Sequence, residues 1–318
     1  MKVYGLTNFE KLSILELTEK GFKGKKVGSG VVEFSGEEKE IQKLGKEGQS
    51  WRKILAAFGQ AVSMEKLDLS GVSWKNYFSS GEKFMVDVEG VKGQENRIGI
   101  GKKVSKFIFE QIPDLEFDYK QPSKVVLVYF DGSNYFVGLD LFGERDKRDY
   151  RVFVHSASMR GDMGYALIRW SGLVKGEKMI IGLVRDGVVL IEAALFDTMG
   201  KIYGFDENMR NVVSAKKNAK LAGVQERVEI NKWDIDELDV KFKEGEVDRL
   251  LFLVTKKDET RINEIYYQAK YVLRKGGTLL LFGRESWEIS IPEKFKLVFS
   301  EIVRKGDSSW KMWLLEKK

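Results

Sequence analysis

Cysteine is absent from the 318 residues, histidine occurs once and proline three times. Without cysteine there is no disulfide, no thiolate nucleophile, no Cys/His metal cluster and no Cys-ligated iron–sulfur centre. Base methylation through a cysteine adduct is excluded for the same reason. A Ser–His–Asp triad would have to run through His155, a solitary histidine of the kind found on surfaces and linkers. Long apolar runs are missing too. Leu250–Val254 and Leu279–Phe282 are strand length, far short of the roughly 18 residues a membrane span requires. The opening MKVYGLTNFEKL has no apolar signal core, so the expectation is a cytoplasmic protein with no membrane partner and no metal.

What remains is ordinary globular composition, 43% hydrophobic and 32% charged, with length enough for two or three domains. The net charge of +6 permits an anionic partner. It is unevenly placed. Lys92–Lys106 (KGQENRIGIGKKVSK) sets Lys92, Arg97, Lys102, Lys103 and Lys106 against Glu95 alone. A second knot, Arg145–Arg151 (RDKRDYR), mixes four cations with Asp146 and Asp149. Such clusters are either solvated faces or the electrostatic footprint of a nucleic acid.

Hydrophobic periodicity divides the chain into three segments. In the first, roughly 1–58, a strand at Val3–Leu6 precedes an amphipathic helix at Phe9–Lys20 stopped by Gly21. A strand at Gly30–Phe34 and a helix over Trp51–Ala61 complete a small α+β unit. The second, 59–145, has a strand at Glu82–Val88, a basic helix over Lys102–Gln111, and strands Lys124–Phe130 and Tyr135–Phe142 joined at Asp131-Gly132-Ser133. A linker over 146–160 is expected before the third segment, 161–318. There strand and helix alternate as in a parallel sheet: strands at Lys178–Ile181, Lys201–Gly204, Val228–Asn231, Arg249–Leu253 and Thr278–Phe282, helices at Val188–Thr198, Glu207–Leu221 and Glu259–Leu273. Lys296–Val303 and Ser309–Leu315 read as a closing antiparallel hairpin.

The stretch Met179–Ala194 (MIIGLVRDGVVLIEAA), with Ile202–Asp206 (IYGFD) after it, is the opening half of a nucleotide-cofactor fold: strand, turn between Gly182 and Gly187, helix, and a second strand ending in an acid. Glycines let the backbone approach a ligand, and the acid takes ribose hydroxyls. Between those glycines, however, stand Leu183, Val184, Arg185 and Asp186, where a cofactor loop wants small residues.

With these residues in view, nearly the whole chain resembles the THUMP-domain RNA methyltransferases, those acting on guanine N2 of tRNA in particular. VYFDGSNYFVGLDLFGERDKRDYR, with its exit from Gly143 to Arg151, is similar to the end of their THUMP domain. Leu190–Ala194 (LIEAA) reproduces their helix opening, and Asn218 and Gly223 fit the helix after it. The resemblance implies an α/β fold: a Rossmann-like class I methyltransferase domain, its mostly parallel seven-stranded sheet closed by an antiparallel hairpin, preceded by ferredoxin-like and THUMP α+β domains. The implied cofactor is S-adenosylmethionine, with Gly187 in the loop, Asp206 on the ribose and Asp234 beside the adenine amine.

The departures concern the chemistry. The family's loop runs Asp-Pro-Phe-Cys-Gly-Ser-Gly-Thr. Here it is Ile181 through Val188, Arg185 standing where a glycine belongs and bringing positive charge toward a sulfonium ligand. The family's Asn/Asp-Pro-Pro-Tyr/Phe, which grips the flipped base, is replaced by VDRLLFLVTKKD at Val247–Asp258, where only Thr255 offers one hydrogen bond and Lys256 and Lys257 add positive charge. No catalytic residue is assigned. The expectation is an RNA-binding protein, tRNA being the implied target, with a weak or silent transferase core. Its expected RNA contacts are Arg97, Lys102, Lys103 and Lys106, then Lys147, Arg148 and Arg151. The alternatives are an active tRNA (guanine-N2) methyltransferase with atypical motifs and a non-catalytic subunit supporting a methyltransferase partner.

Overall fold

The computed structural model describes residues 1–254, 258–305 and 308–318. The chain divides into two compact units, Met1–Asp146 and Lys147–Lys318.

The first unit runs β1 (Lys2–Thr7), α1 (Glu10–Glu19), β2 (Lys25–Gly28), β3 (Val31–Ser35), α2 (Glu38–Glu47), β4 (Trp51–Ala61), β5 (Lys83–Glu89), α3 (Gln94–Phe109), β6 (Glu116–Phe117), β7 (Lys124–Phe130) and β8 (Tyr135–Asp140). Its strands join in one eight-stranded sheet, ordered β2-β3-β1-β4-β8-β7-β5-β6. All its pairs are antiparallel except β5 with β7 and with β6. Strand alternation sorts the core: Val3 joins Leu17, Ile41, Leu44 and Trp51 on one face, while Tyr4 and Leu6 join Leu127 and Phe136 on the other. Under α3, Val104 and Ile108 pack on Phe84, Val86 and Val88.

Trp51–Ala61 corrects one expectation. This run is not a helix but an eleven-residue strand between β1 and β8. Its Ile54, Leu55 and Ala56 are buried consecutively and belong to three different clusters. A strand covered on both faces shows no alternation, so it looks helical by composition alone. The expected boundary at residue 58 falls inside this strand. Helix α2, unforeseen, is mostly charged and starts at a capping box between Glu37 and Glu40, with Ile41 and Leu44 packing it into the core.

The second unit runs α4 (Gly161–Trp170), β9 (Met179–Gly182), α5 (Val188–Phe196), β10 (Ile202–Phe205), α6 (Met209–Leu221), β11 (Val228–Asn231), α7 (Leu238–Lys241), β12 (Val247–Leu253), α8 (Glu259–Val272), β13 (Leu273–Arg284), β14 (Phe295–Lys305) and β15 (Ser308–Lys317). The sheet order is β11-β10-β9-β12-β13-β15-β14. Strands β11 through β13 are parallel, β15 runs against them, and β14, antiparallel to β15, runs with them again. This is the expected doubly wound sheet with its hairpin. All four residues of β9 are buried, as a central parallel strand covered on both faces requires. The switch of strand order lies beside β9, so the carboxyl ends of β9, β10 and β12 mark the crevice where such folds bind ligands.

Candidate functional site

At that crevice the chain leaves β9 through a tight turn. A Cβ at Gly182 would stand 2.4 Å from the Phe252 ring, which fixes glycine there. Leu183 (φ 59°), Arg185 (φ 54°) and Gly187 (φ 86°) all adopt the left-handed region. Two of the three carry side chains, and such residues store about 1–3 kcal/mol each. The turn is held by Val184 N–H donating to the Phe205 carbonyl (3.1 Å), Gly187 N–H to the Val184 carbonyl (2.8 Å) and Arg185 N–H to Asp206 Oδ2 (2.9 Å).

The Arg185 side chain folds back into the crevice and is 8% exposed. Its Nη1 donates to the Ala157 carbonyl (2.7 Å) and Nη2 to the Leu253 carbonyl at the end of β12 (3.2 Å). Burial pulls its pKa below the ordinary arginine value, opposed by the fields of Asp186 and Asp206. A second layer comes from residues 151–158. Phe153 N–H donates to Asn218 Oδ1 (3.1 Å), while Asn218 Nδ2 donates to the carbonyls of Phe153 (3.0 Å) and Asp186 (2.9 Å). His155 N–H reaches Asp186 Oδ2 (3.3 Å), and His155 Nδ1 accepts from Ala157 N–H (3.0 Å). The hollow left between this strap, the turn and Leu253 is about 10 Å³, enough for a single water at most.

This geometry does not fit an adenosyl donor, whose sites elsewhere occupy hundreds of cubic ångströms. Gly187 is where the reading placed it, opening α5, with Ala215 so near that any Cβ would sit 2.9 Å from the alanine's own. Asp206 is 4% exposed, and its oxygens already accept from Arg185 N–H, Asn208 N–H and Asn211 Nδ2. Asp234 is exposed and caps the short 3-10 turn Ile235–Glu237. Both acids therefore do structural work in their own turns. Thr255, Lys256 and Lys257 lie outside the described residues. Among the described residues no cluster of three or more His, Cys, Asp or Glu side chains is poised for a metal.

Arg148 requires a correction. It is no RNA contact: its guanidinium forms a two-pronged ion pair with Glu192 (Nε–Oε1 2.7 Å, Nη2–Oε2 3.0 Å), the side chains being 6% and 0% exposed. The Tyr150 hydroxyl donates to the same Oε1 (2.7 Å), and burial, with Glu192 beside it, pushes that phenol well above its usual pKa. The glutamate of the LIEAA segment is thus an anchor for residues 148–150, a role its sequence context did not reveal. Arg151 is spent locally on the Lys147 carbonyl and Ser158 Oγ. Lys147 is exposed.

The other cluster lies wholly in the first unit. Helix α3 begins eight residues earlier than its sequence suggested, so the cations occupy one continuous helix. Arg97, Lys102 and Lys106 are exposed along one side of it, lining an open groove of about 800 Å³ against β5 and the aromatic pair Phe117 and Tyr119. Lys103 points elsewhere and donates to the Met64 carbonyl. The expected four-cation patch is a three-cation ridge. The aromatic side of the groove was not foreseen, because only the fold brings residues 117–119 against α3.

The second unit has the class I methyltransferase fold. Residues 148–252 match the family model UPF0020, described as "RMKL-like, methyltransferase domain". Among curated proteins, the chain is 23% identical over 282 residues to the ribosomal RNA large subunit methyltransferase K/L of Vibrio cholerae serotype O1, covering 71% of this chain and 39% of that protein. It is 22% identical to the same-named enzyme of Aliivibrio fischeri strain MJ11, covering 58% and 34%. The chain therefore spans between a third and two fifths of the length of these relatives, which are RNA methyltransferases. Among solved structures, TrmN from Thermus thermophilus superposes with a TM-score of 0.80 at 19% identity, covering 100% of this chain and 99% of that one. SMU.472, solved in complex with SAH, gives 0.76 at 17%, covering 100% and 98%. Among the described residues no helix is long and apolar enough to cross a membrane.

Proposed function

We propose that this chain is an RNA-binding protein on a methyltransferase scaffold, with a transferase core that does not hold the methyl donor. The reading rests on one observation: Arg185 and the strap over it fill the crevice at the ends of β9, β10 and β12. Likeness to THUMP methyltransferases supports reading 1–58 as ferredoxin-like, 59–145 as the THUMP segment and tRNA as the RNA. The ridge Arg97, Lys102 and Lys106 supplies phosphate contacts.

Calorimetric titration with S-adenosylmethionine to millimolar concentration, run beside a tRNA-binding assay, tests this. The expected result is no heat with the donor, measurable tRNA binding, and a loss of at least tenfold in the Lys102→Glu/Lys106→Glu variant. Clear donor binding, or methyl groups appearing on tRNA treated with the pure protein, overturns the silent core. Unchanged binding by the double variant overturns the ridge.

A further inference from the structure

The sheet of the second unit ends in an open edge. Strand β14 closes the order β11-β10-β9-β12-β13-β15-β14 and pairs on one side with β15. Among the described residues no strand lies on its other side. Along that side alternate residues turn N–H and C=O groups outward, a template for one more strand. Edges left to solvent are usually short or carry charge against such pairing. This one runs eleven residues, Phe295–Lys305, and leaves Leu297, Val298 and Ile302 41%, 48% and 42% exposed.

A bulge interrupts β14. Leu297 stands opposite Leu315 and Phe299 opposite Leu314, so Val298 has no opposite number on β15. The extra residue shifts the alternation of faces. Phe295 and Leu297 therefore share one face with Ser300 and Ile302, while Lys296 and Glu301 share the other. Without the bulge, residues 296 and 301, five apart, would stand on opposite faces.

With this spacing the strand is complementary to itself. Laid antiparallel to its own copy about a twofold axis between Val298 and Phe299, it sets Lys296 opposite Glu301 of the second copy, and Glu301 opposite that copy's Lys296. Phe295 falls opposite Ile302 and Leu297 opposite Ser300, each pair on a single face. Moving the axis onto Val298 or onto Phe299 sets Leu297 against Phe299 or Glu301, residues of the other face, and loses the match. Opposite charges directly across an antiparallel pair are favourable, like charges unfavourable. Lys296 and Glu301 are both exposed on the single chain.

We infer that a second copy of this chain pairs with the outer edge of β14, joining two seven-stranded sheets into one across that axis. The contact uses the same edge of both copies and so closes at two. It lies wholly in the second unit and depends neither on RNA nor on the closed crevice.

Sedimentation velocity on the full chain, from submicromolar to high micromolar concentration, tests it. The expected result is a species of twice the 36.5 kDa chain that grows in with concentration. Glu301→Lys, which sets like charges opposite one another, should weaken association at least tenfold. Adding Lys296→Glu, which restores both pairs with their signs exchanged, should recover most of it. Glu301 is exposed opposite Met312, so Glu301→Lys keeps the wild-type melt at dilutions where the chain is single. The lack of cysteine allows a test of register. Opposite residues of an antiparallel pair have Cα atoms about 4.5–5.5 Å apart, within disulfide reach. The two copies of residue 296 would stand about 17 Å apart, five residues at about 3.4 Å each. An oxidised mixture of Lys296→Cys and Glu301→Cys chains should therefore crosslink, and neither variant alone. A monomer at every concentration overturns the pairing and leaves β14 an edge guarded by its bulge. A dimer indifferent to Glu301→Lys, or one in which Lys296→Cys crosslinks with itself as readily as with Glu301→Cys, overturns it too.

Discussion

Two buried guanidiniums of the second unit, Arg148 and Arg185, illustrate how differently one charge can be accommodated. Arg148 meets a carboxylate in a fork, two nitrogens on two oxygens, with Tyr150 completing the set. Arg185 meets main-chain carbonyls. Removing one partner of the first pair leaves a fully buried charge behind, and such losses run to about 3–5 kcal/mol. Arg148→Ala is therefore expected to lower unfolding free energy by at least about 3 kcal/mol in a denaturant melt. Replacing Glu192 together with Arg148 by methionines should cost less than either single change. Arg148→Lys should recover little, because an ammonium cannot reproduce the fork. Sequence marked Arg148 as a cation in a basic knot; its burial depends on Glu192, 44 positions away, and no local pattern carries that.

At the level of elements, the turn between β7 and β8 does more than join them. Asp131 accepts from Ser133 and Asn134 N–H within its own turn and from Ser29 N–H in the turn between β2 and β3. Slight burial pushes its pKa up, but these three donors outweigh it and hold the group below the usual carboxylate range. The folded state thus binds this proton less well than the unfolded chain. Its stabilisation is present above the unfolded value and is lost as pH falls through the folded one. Asp131→Asn, neutral at every pH, is expected to be about 1 kcal/mol less stable at pH 7, the gap closing as acid protonates the wild type. Stability curves at several pH values measure it. The hairpin was legible because Asp-Gly-Ser between two apolar runs is local turn chemistry. Strand β4 was not, since covering both faces erases the alternation that reveals strands, and the Ala56-Ala57 pair reads as helix.

For the molecule as a whole, the parallel sheet of the second unit could be read because its strands, glycine stops and terminal hairpin each announce themselves over short windows. The eight-stranded sheet of the first unit could not, because its order depends on pairings such as β4 with β8 across more than seventy positions. The groove is hidden for the same reason: its cations are contiguous, but its aromatic wall meets them only in the fold. If three cations carry the RNA phosphates, binding should weaken with a log–log salt slope of about −2 to −3. A titration between low and moderate salt checks this, and Lys102→Glu should flatten the slope. A slope several units steeper would mean that phosphate contacts extend well past α3.

The closure at Arg185 has a last consequence. A cation held by peptide oxygens has no titrating partner in its hydrogen bonds, and oxygens of that kind bear no net charge for electrolyte to screen. Its carboxylate neighbours Asp186 and Asp206 are themselves buried, so electrolyte has little access to the fields they exert on it. Drawing the guanidinium out requires the chain itself to move, the 151–158 strap lifting from Asn218 or the left-handed turn relaxing, so the barrier is mechanical.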